Sequence, residues 1–338
     1  MRKFIFLVLV FSLVITGAFA GGKSVSSAQQ GKVVVQLGLE NHPGELVTDA
    51  AFEWARLAAE KSGGSLEIQV FPSSQLGTKD QLMDMMLAGM NVITIGDAGF
   101  FAERGVPDMG IVIGPYFYAT WDEAWKLLDS NWWKDQTKLL EDKVGFKILA
   151  SNWIYGNRHT LTTRPIRNVE DFRGLKLRTP TNLMQIKGTE VMGATPTPLP
   201  LGDVYTALQQ GVVDGVENPL SVLYGGKFHE VAKYLTLDAH IRMMTVWFTG
   251  TQFFKTLSKE HQDILVESGG QAGLFNNDLQ GKADAEMIAR FKAEGVEIIE
   301  IDVAKFQAQA QPFYTNPEVT ANWSSGLFET VNRAKAGR

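Results

Sequence analysis

Residues 33–71 read VVVQLGLENHPGELVTDAAFEWARLAAEKSGGSLEIQVF, and this stretch sets the fold class. Residues 33–39 are an apolar run of strand length. Residues 45–61 carry Leu46, Ala50, Trp54, Leu57 and Ala58 at helical spacing, which places them on one face. Gly63-Gly64 closes that helix, as glycine does just past a helix C-terminus. Residues 66–71 are a second strand, and Pro72 turns the chain. Strand, helix and strand in succession are the unit of an α/β fold.

The alternation continues outward from this unit. A helix is expected over 78–88, a strand over 92–95, one longer helix over 121–143 and a strand over 146–150. Further on, 175–177 reads as a strand, with a helix starting near Pro180. A helix follows over 203–210, then strands over 212–216 and 243–249. Residues 259–294 are mostly helical, with Gly269-Gly270 a candidate break. Lys292 and Gly295 supply a last-turn cation and a terminal glycine. Residues 296–301 read as a strand, and the tail is mostly helical. Repeated βα units call for open sheets with helices on both faces. No internal repeat, low-complexity tract or charge block interrupts them.

The N-terminus reads as an export signal. Arg2 and Lys3 precede an apolar run over 4–15, and Ala18-Phe19-Ala20 is a small-x-small cleavage site. The run is too short for a bilayer span, which needs about 20 apolar residues. Residues 21–31 are small and polar, a flexible leader. Removing residues 1–20 leaves 30 basic against 37 acidic residues. That balance disfavours nucleic acid, which needs a clustered basic face. The chain has 338 residues and no cysteine, so a large core rather than disulfides must stabilise it.

Common catalytic signatures are absent. There is no G-x-S-x-G, no G-x-G-x-x-G and no H-E-x-x-H. Gly225-Gly226-Lys227 lacks the first glycine and the final Ser/Thr of a phosphate loop. His42, His159, His229, His240 and His261 are scattered without metal-ligand spacing. No metal or cofactor is implied.

The distinctive run lies between 157 and 240. Asn157-Arg158-His159-Thr160 precedes Gly174-Leu175-Lys176-Leu177-Arg178-Thr179-Pro180, with two arginines twenty positions apart. Gly193-Ala194-Thr195-Pro196-Thr197-Pro198 follows. Next come residues 203–211 (DVYTALQQG), Val213-Asp214-Gly215-Val216-Glu217-Asn218-Pro219 and Lys227-Phe228-His229-Glu230-Val231. With Phe71-Pro72-Ser73-Ser74-Gln75-Leu76-Gly77 upstream, this run resembles the solute-binding subunits of tripartite ATP-independent periplasmic (TRAP) transporters, the DctP-type family. The resemblance covers about 35–300. It implies a two-domain periplasmic-binding-protein-like α/β fold, with a cleft between two open sheets and hinge-linked lobes. It further implies a periplasmic location, capture of a small organic acid, and docking on a membrane permease. Arg178 would clamp the ligand carboxylate, Arg158 would be a second cation nearby, and Asn218 would support the carboxylate.

The chemistry of these residue types agrees with those roles. A guanidinium is a planar fork that can give a carboxylate two parallel charge-assisted hydrogen bonds. Arg178 follows an expected strand and Asn218 lies just past another. Ligands in open α/β sheets bind beyond the carboxyl ends of strands.

Extending the register upstream brings Glu40, Lys79, Asp97 and Phe100 to positions that line the cleft in sialic-acid-binding relatives. Those relatives carry Asn, Asp, Glu and Arg there, which argues against sialic acid. Glu40 and Asp97 would accept hydrogen bonds from ligand hydroxyls, which suits a sugar acid such as a uronate, aldonate or keto-aldonate. Trp153 and Tyr155 would stack on the ligand as aromatic walls. The expected lobes are 32–155 with 244–283, and 156–243 with 284–338. An exported enzyme, or a sensory protein on the same fold, is the competing reading.

Overall fold

A computed structural model describes residues 32–338; the expected export signal and leader at 1–31 lie outside the described residues. The strands are β1 (Val33–Gly38), β2 (Leu66–Phe71), β3 (Val92–Gly96), β4 (Phe146–Thr162), β5 (Lys176–Thr179), β6 (Thr195–Pro198), β7 (Gly215–Pro219), β8 (Tyr234–Gly250) and β9 (Glu297–Ile299). They are joined in the order β2-β1-β3-β8-β4-β7-β5-β6, with β9 beside β8. β1 is parallel to β2 and β3, and β5 is parallel to β6 and β7. The middle strands β8 and β4 are antiparallel to each other and to their outer neighbours β3 and β7.

The opening βαβ unit forms as its pattern dictates. Helix Leu46–Lys61 buries Ala50, Trp54 and Ala58, and Leu46 and Leu57 pack at the margin of the same core. Gly63 and Gly64 leave the helix with positive φ, a region that glycine enters without steric penalty.

The sequence reading fell short in the middle of the sheet. The strands expected over 146–150 and 243–249 are segments of β4 and β8, each 17 residues long. The two expected sheets are therefore hydrogen-bonded through these strands into one path. Their pairing slips at four places between Ile148 and Thr160. Such bulges bend a strand and raise its twist, which turns one half of the sheet against the other. Gly156 sits among them at φ 133°, and a Cβ there would lie 2.8 Å from the Pro219 ring.

Two helices also differ from expectation. Residues 121–143 break at Ser130, which ends helix Trp121–Asp129 and caps helix Asn131–Leu139 by accepting from the Trp133 N–H. Conversely, helix Lys259–Ala293 runs unbroken through Gly269-Gly270. At 1.5 Å per residue it is about 50 Å long. It lies across Trp54 and Trp153, whose rings meet each other and Trp247 at centroid distances of 5.2–6.3 Å. The glycine pair serves close approach: a Cβ on Gly269 would sit 2.9 Å from the Trp54 ring, whereas one on Gly270 would meet open space. The C-terminal helix Leu327–Lys335 packs on helix Trp121–Asp129.

These two glycines make a paired test. Gly269→Ala should destabilise the fold by about 1–3 kcal/mol, because a rigid indole cannot yield to the new methyl. Gly270→Ala should stabilise it by up to about 1 kcal/mol through helix propensity. Urea unfolding of both variants checks this; equal midpoints would show that the helix does not rest on Trp54 through Gly269.

Candidate functional site: a cationic cleft at the strand ends

The ends of several elements converge on one cavity. Glu40 follows β1, Lys79 opens helix Lys79–Leu87, and Asp97 follows β3. Tyr155 and Arg158 come from β4, Arg178 from β5 and Asn218 from β7. With Phe100 they make eight of the nine expected site residues, and all eight line the cavity. β7 is shifted relative to the expected strand, so Asn218 lies inside it, opposite His159 of β4.

Trp153 is the exception. It is fully buried beneath helix Lys259–Ala293, with its indole N–H donating to the Gly269 carbonyl at 2.9 Å. A Cβ on Gly273 would come within 2.8 Å of its ring. Trp153 is a core residue, because the long helix covers the face that would have met a ligand.

The two arginines are both buried, 3% exposed for Arg178 and 2% for Arg158, but they are not equivalent. Arg158 is spent internally. Its Nε and Nη2 donate to the two carboxylate oxygens of Glu217 at 2.5 and 2.7 Å, and its Nη1 faces the Met243 sulfur. Burial raises the Glu217 carboxyl, but Arg158 outweighs this and brings it down to about 2. Arg178 has no such counter-ion. Its Nε and Nη2 donate to the Leu199 carbonyl at 2.9 and 2.6 Å, and among the described residues no carboxylate pairs with it. Burial pulls it down to about 10, opposed by Glu40 and Glu217, so it stays cationic at neutral pH. Beside it on the cavity wall, the Asn218 amide nitrogen is buried without a hydrogen-bond acceptor.

The opposite wall is acidic and held from below. Asp97 caps helix Ala98–Glu103 by accepting from the Gly99 N–H, and its other oxygen accepts from Gln185. Burial raises its pKa, with the Gly99 N–H and then Arg158 opposing. Glu40 accepts from the Leu201 N–H at 3.3 Å. Lys79 donates to the Ile95 carbonyl, lies 4.0 Å from Glu40, and is lowered by burial.

Glu217 is a residue that sequence reasoning missed, although it stands next to Asn218. Only the β4–β7 pairing brings it to Arg158. Behind Glu217 lies a second cavity of about 350 Å³. On that side His240 Nε2 is 3.2 Å from Glu217, and His240 Nδ1 is 3.1 Å from Asp238. The second contact is Coulombic, since that nitrogen makes no aligned hydrogen bond. Asp238 also accepts from the Thr160 hydroxyl at 2.6 Å. Burial lowers His240, but Asp238 and Glu217 overcome it and raise it to about 9. Among the described residues no group of three or more His, Cys, Asp or Glu side chains is placed to hold a metal ion.

A crevice at strand ends, lined by a buried guanidinium that no carboxylate pairs with among the described residues, is suited to hold a small anion. The sequence model of the DctP family, described as bacterial extracellular solute-binding protein, family 7, matches residues 37–319, and the chain belongs to that family. A TRAP periplasmic solute-binding protein from Ochrobacterium anthropi, solved with bound L-fuconate, is 41% identical with a TM-score of 0.87. The match covers 90% of this chain and all of that one. A second, from Actinobacillus succinogenes with bound L-galactonate, is 34% identical with a TM-score of 0.85 over the same shares. The 2,3-diketo-L-gulonate-binding periplasmic protein of Escherichia coli is 31% identical over 86% of this chain and 87% of its own. The two-domain architecture of the solved relatives is the fold seen here.

The His240 cluster makes stability depend on pH. His240 has a folded pKa above its unfolded value of about 6.5. Its contribution is therefore complete below about pH 6.5 and is lost as pH rises through about 9. The stability difference between wild type and His240→Gln should shrink between about pH 6 and about pH 10 in urea unfolding. A constant difference would place the proton elsewhere.

Proposed function

We propose that this chain is the extracytoplasmic solute-binding subunit of a TRAP transporter and that it captures a sugar-acid monocarboxylate. The observation that carries the ligand class is the pairing of the uncompensated Arg178 guanidinium with the orphan Asn218 amide on one cavity wall. Together they offer one fork and one neutral donor, the complement of a single carboxylate. Arg158 is already neutralised by Glu217 and Lys79 lies 4.0 Å from Glu40, so among the described residues Arg178 is the cavity cation without a carboxylate partner. Glu40 and Asp97 on the facing wall accept hydrogen bonds from hydroxyls along the rest of the molecule. The solved relatives with L-fuconate and L-galactonate support this class.

Capture needs no bond chemistry. Residues 32–155 with 244–283 would form one lobe, and 156–243 with the tail the other. Contacts of closure span them: Leu183 N–H to Glu103, Gln185 to Asp97, Thr181 to Asp80 and Leu201 N–H to Glu40. Ligand that bridges both walls favours this closed arrangement over an open one. The closed form then docks on the membrane permease, which supplies the energy for uptake. Among the described residues no helix is long and apolar enough to cross a membrane. The export signal at 1–20 directs the chain to the periplasm and is cleaved.

Calorimetric titration with L-galactonate and L-fuconate tests the clamp. Arg178→Ala should weaken binding by about 2–5 kcal/mol, and Arg178→Lys should also bind poorly because an ammonium lacks the planar fork. Affinity unchanged in Arg178→Ala would reject the clamp. Wild-type binding to dicarboxylates alone would reject the monocarboxylate class.

A further inference from the structure

One corner of the cavity is built more carefully than anion capture requires. Asn41, 2% exposed, follows β1 and lines the cavity beside Glu40. Its amide nitrogen donates to Glu45 Oε2 at 2.6 Å and to the Tyr155 hydroxyl at 2.9 Å. Both amide hydrogens are thus used, and among the described residues no protein donor reaches the amide oxygen. Tyr155, also on the cavity wall, accepts from Asn41 and has no protein acceptor for its own proton. Glu45 has no exposed surface; it also accepts from the His42 N–H at 2.9 Å, and Gly225 closes against its side chain.

A buried carboxyl group that holds one amide so firmly fixes what that amide shows to the cavity. We propose that Asn41 and Tyr155 form a hydroxyl-reading pair that sets which sugar-acid hydroxyl pattern the cleft accepts, with Glu45 as the positioning residue beneath them. The inference rests on the sugar-acid reading above and adds a specificity element to the same site.

The chemistry suits a hydroxyl in particular. The Asn41 oxygen accepts and the Tyr155 phenol donates, and a ligand hydroxyl does both. Burial raises Glu45 to about 8, with the Asn41 and His42 hydrogen bonds opposing. A ligand hydroxyl satisfies both groups, whereas a methyl or methylene in its place satisfies neither. An analogue that lacks the hydroxyl leaves buried polar groups unpaired, and that cost, rather than lost contact area, supplies the discrimination.

The test is calorimetric titration with L-galactonate and its monodeoxy analogues, of which L-fuconate is the C6 member. Wild type should bind one analogue at least about tenfold more weakly than the parent. In Asn41→Ala and in Tyr155→Phe, which keeps the ring, that one penalty should fall to about threefold or less, with the ranking of the other analogues unchanged. Glu45→Ala should behave like Asn41→Ala. Glu45→Gln, whose side chain both donates and accepts, should restore the discrimination, which a merely structural role would not predict. Wild type binding all analogues alike, or variants weakening every ligand by one factor, would overturn the pair while leaving the sugar-acid reading intact. Wild type binding none of these acids would remove both.

Discussion

The buried ion pair between Arg158 and Glu217 decides how the site works. The pair locks β4 to β7, and one of the two arginines that line the cavity is cancelled where it stands. The bidentate geometry, with both oxygens of Glu217 engaged, leaves Arg158 little to offer a second anion. Arg178, twenty residues later, is bound only to a backbone carbonyl and keeps its charge uncompensated. A chain with a surplus of acidic residues thereby keeps one buried guanidinium without a carboxylate partner among the described residues. The His240 and Asp238 side chains extend this pair into a buried row of alternating charge, so the pairing is supported from behind as well as across the sheet.

The scaffold places this arrangement where the pairing of the two longest strands is irregular. β4 and β8 cross the whole molecule, and their register slips fall between Ile148 and Thr160. Arg158 stands at the last of those slips and Tyr155 beside another. Cavity-lining side chains and the irregular backbone therefore share one segment. The tryptophan cluster under helix Lys259–Ala293 does the opposite job: it is a rigid core next to the irregular stretch, and it accounts for the burial of Trp153.

Much of this was legible in the linear chain. The βαβ unit over 33–71 was fixed by apolar spacing and a glycine stop, because a 3.6-residue period cannot be mistaken over sixteen residues. Arg178, Arg158 and Asn218 were picked out by their motifs, and all three line one cavity. Glu40, Lys79, Asp97 and Phe100 were found by register from the same resemblance, and Tyr155 as an aromatic wall. The alternation that announces a half-exposed strand was missing over 151–162, where most residues are buried on both faces and bulges shift the phase. That is why β4 looked short.

The sequence by itself determined the α/β class, the apolar faces, the absence of cysteine and of catalytic signatures, and the residue types available to hold an acid. These depend on local spacing and on chemistry carried by single side chains. Only the tertiary structure decided that Arg158 is taken and Arg178 is free, that Trp153 is core, and that Asn41 is held by Glu45 against Tyr155. Each of those facts is a contact between residues far apart in the chain or on separate strands. Spacing carries no record of which buried charge a guanidinium meets across a sheet, or of which helix comes to cover an indole.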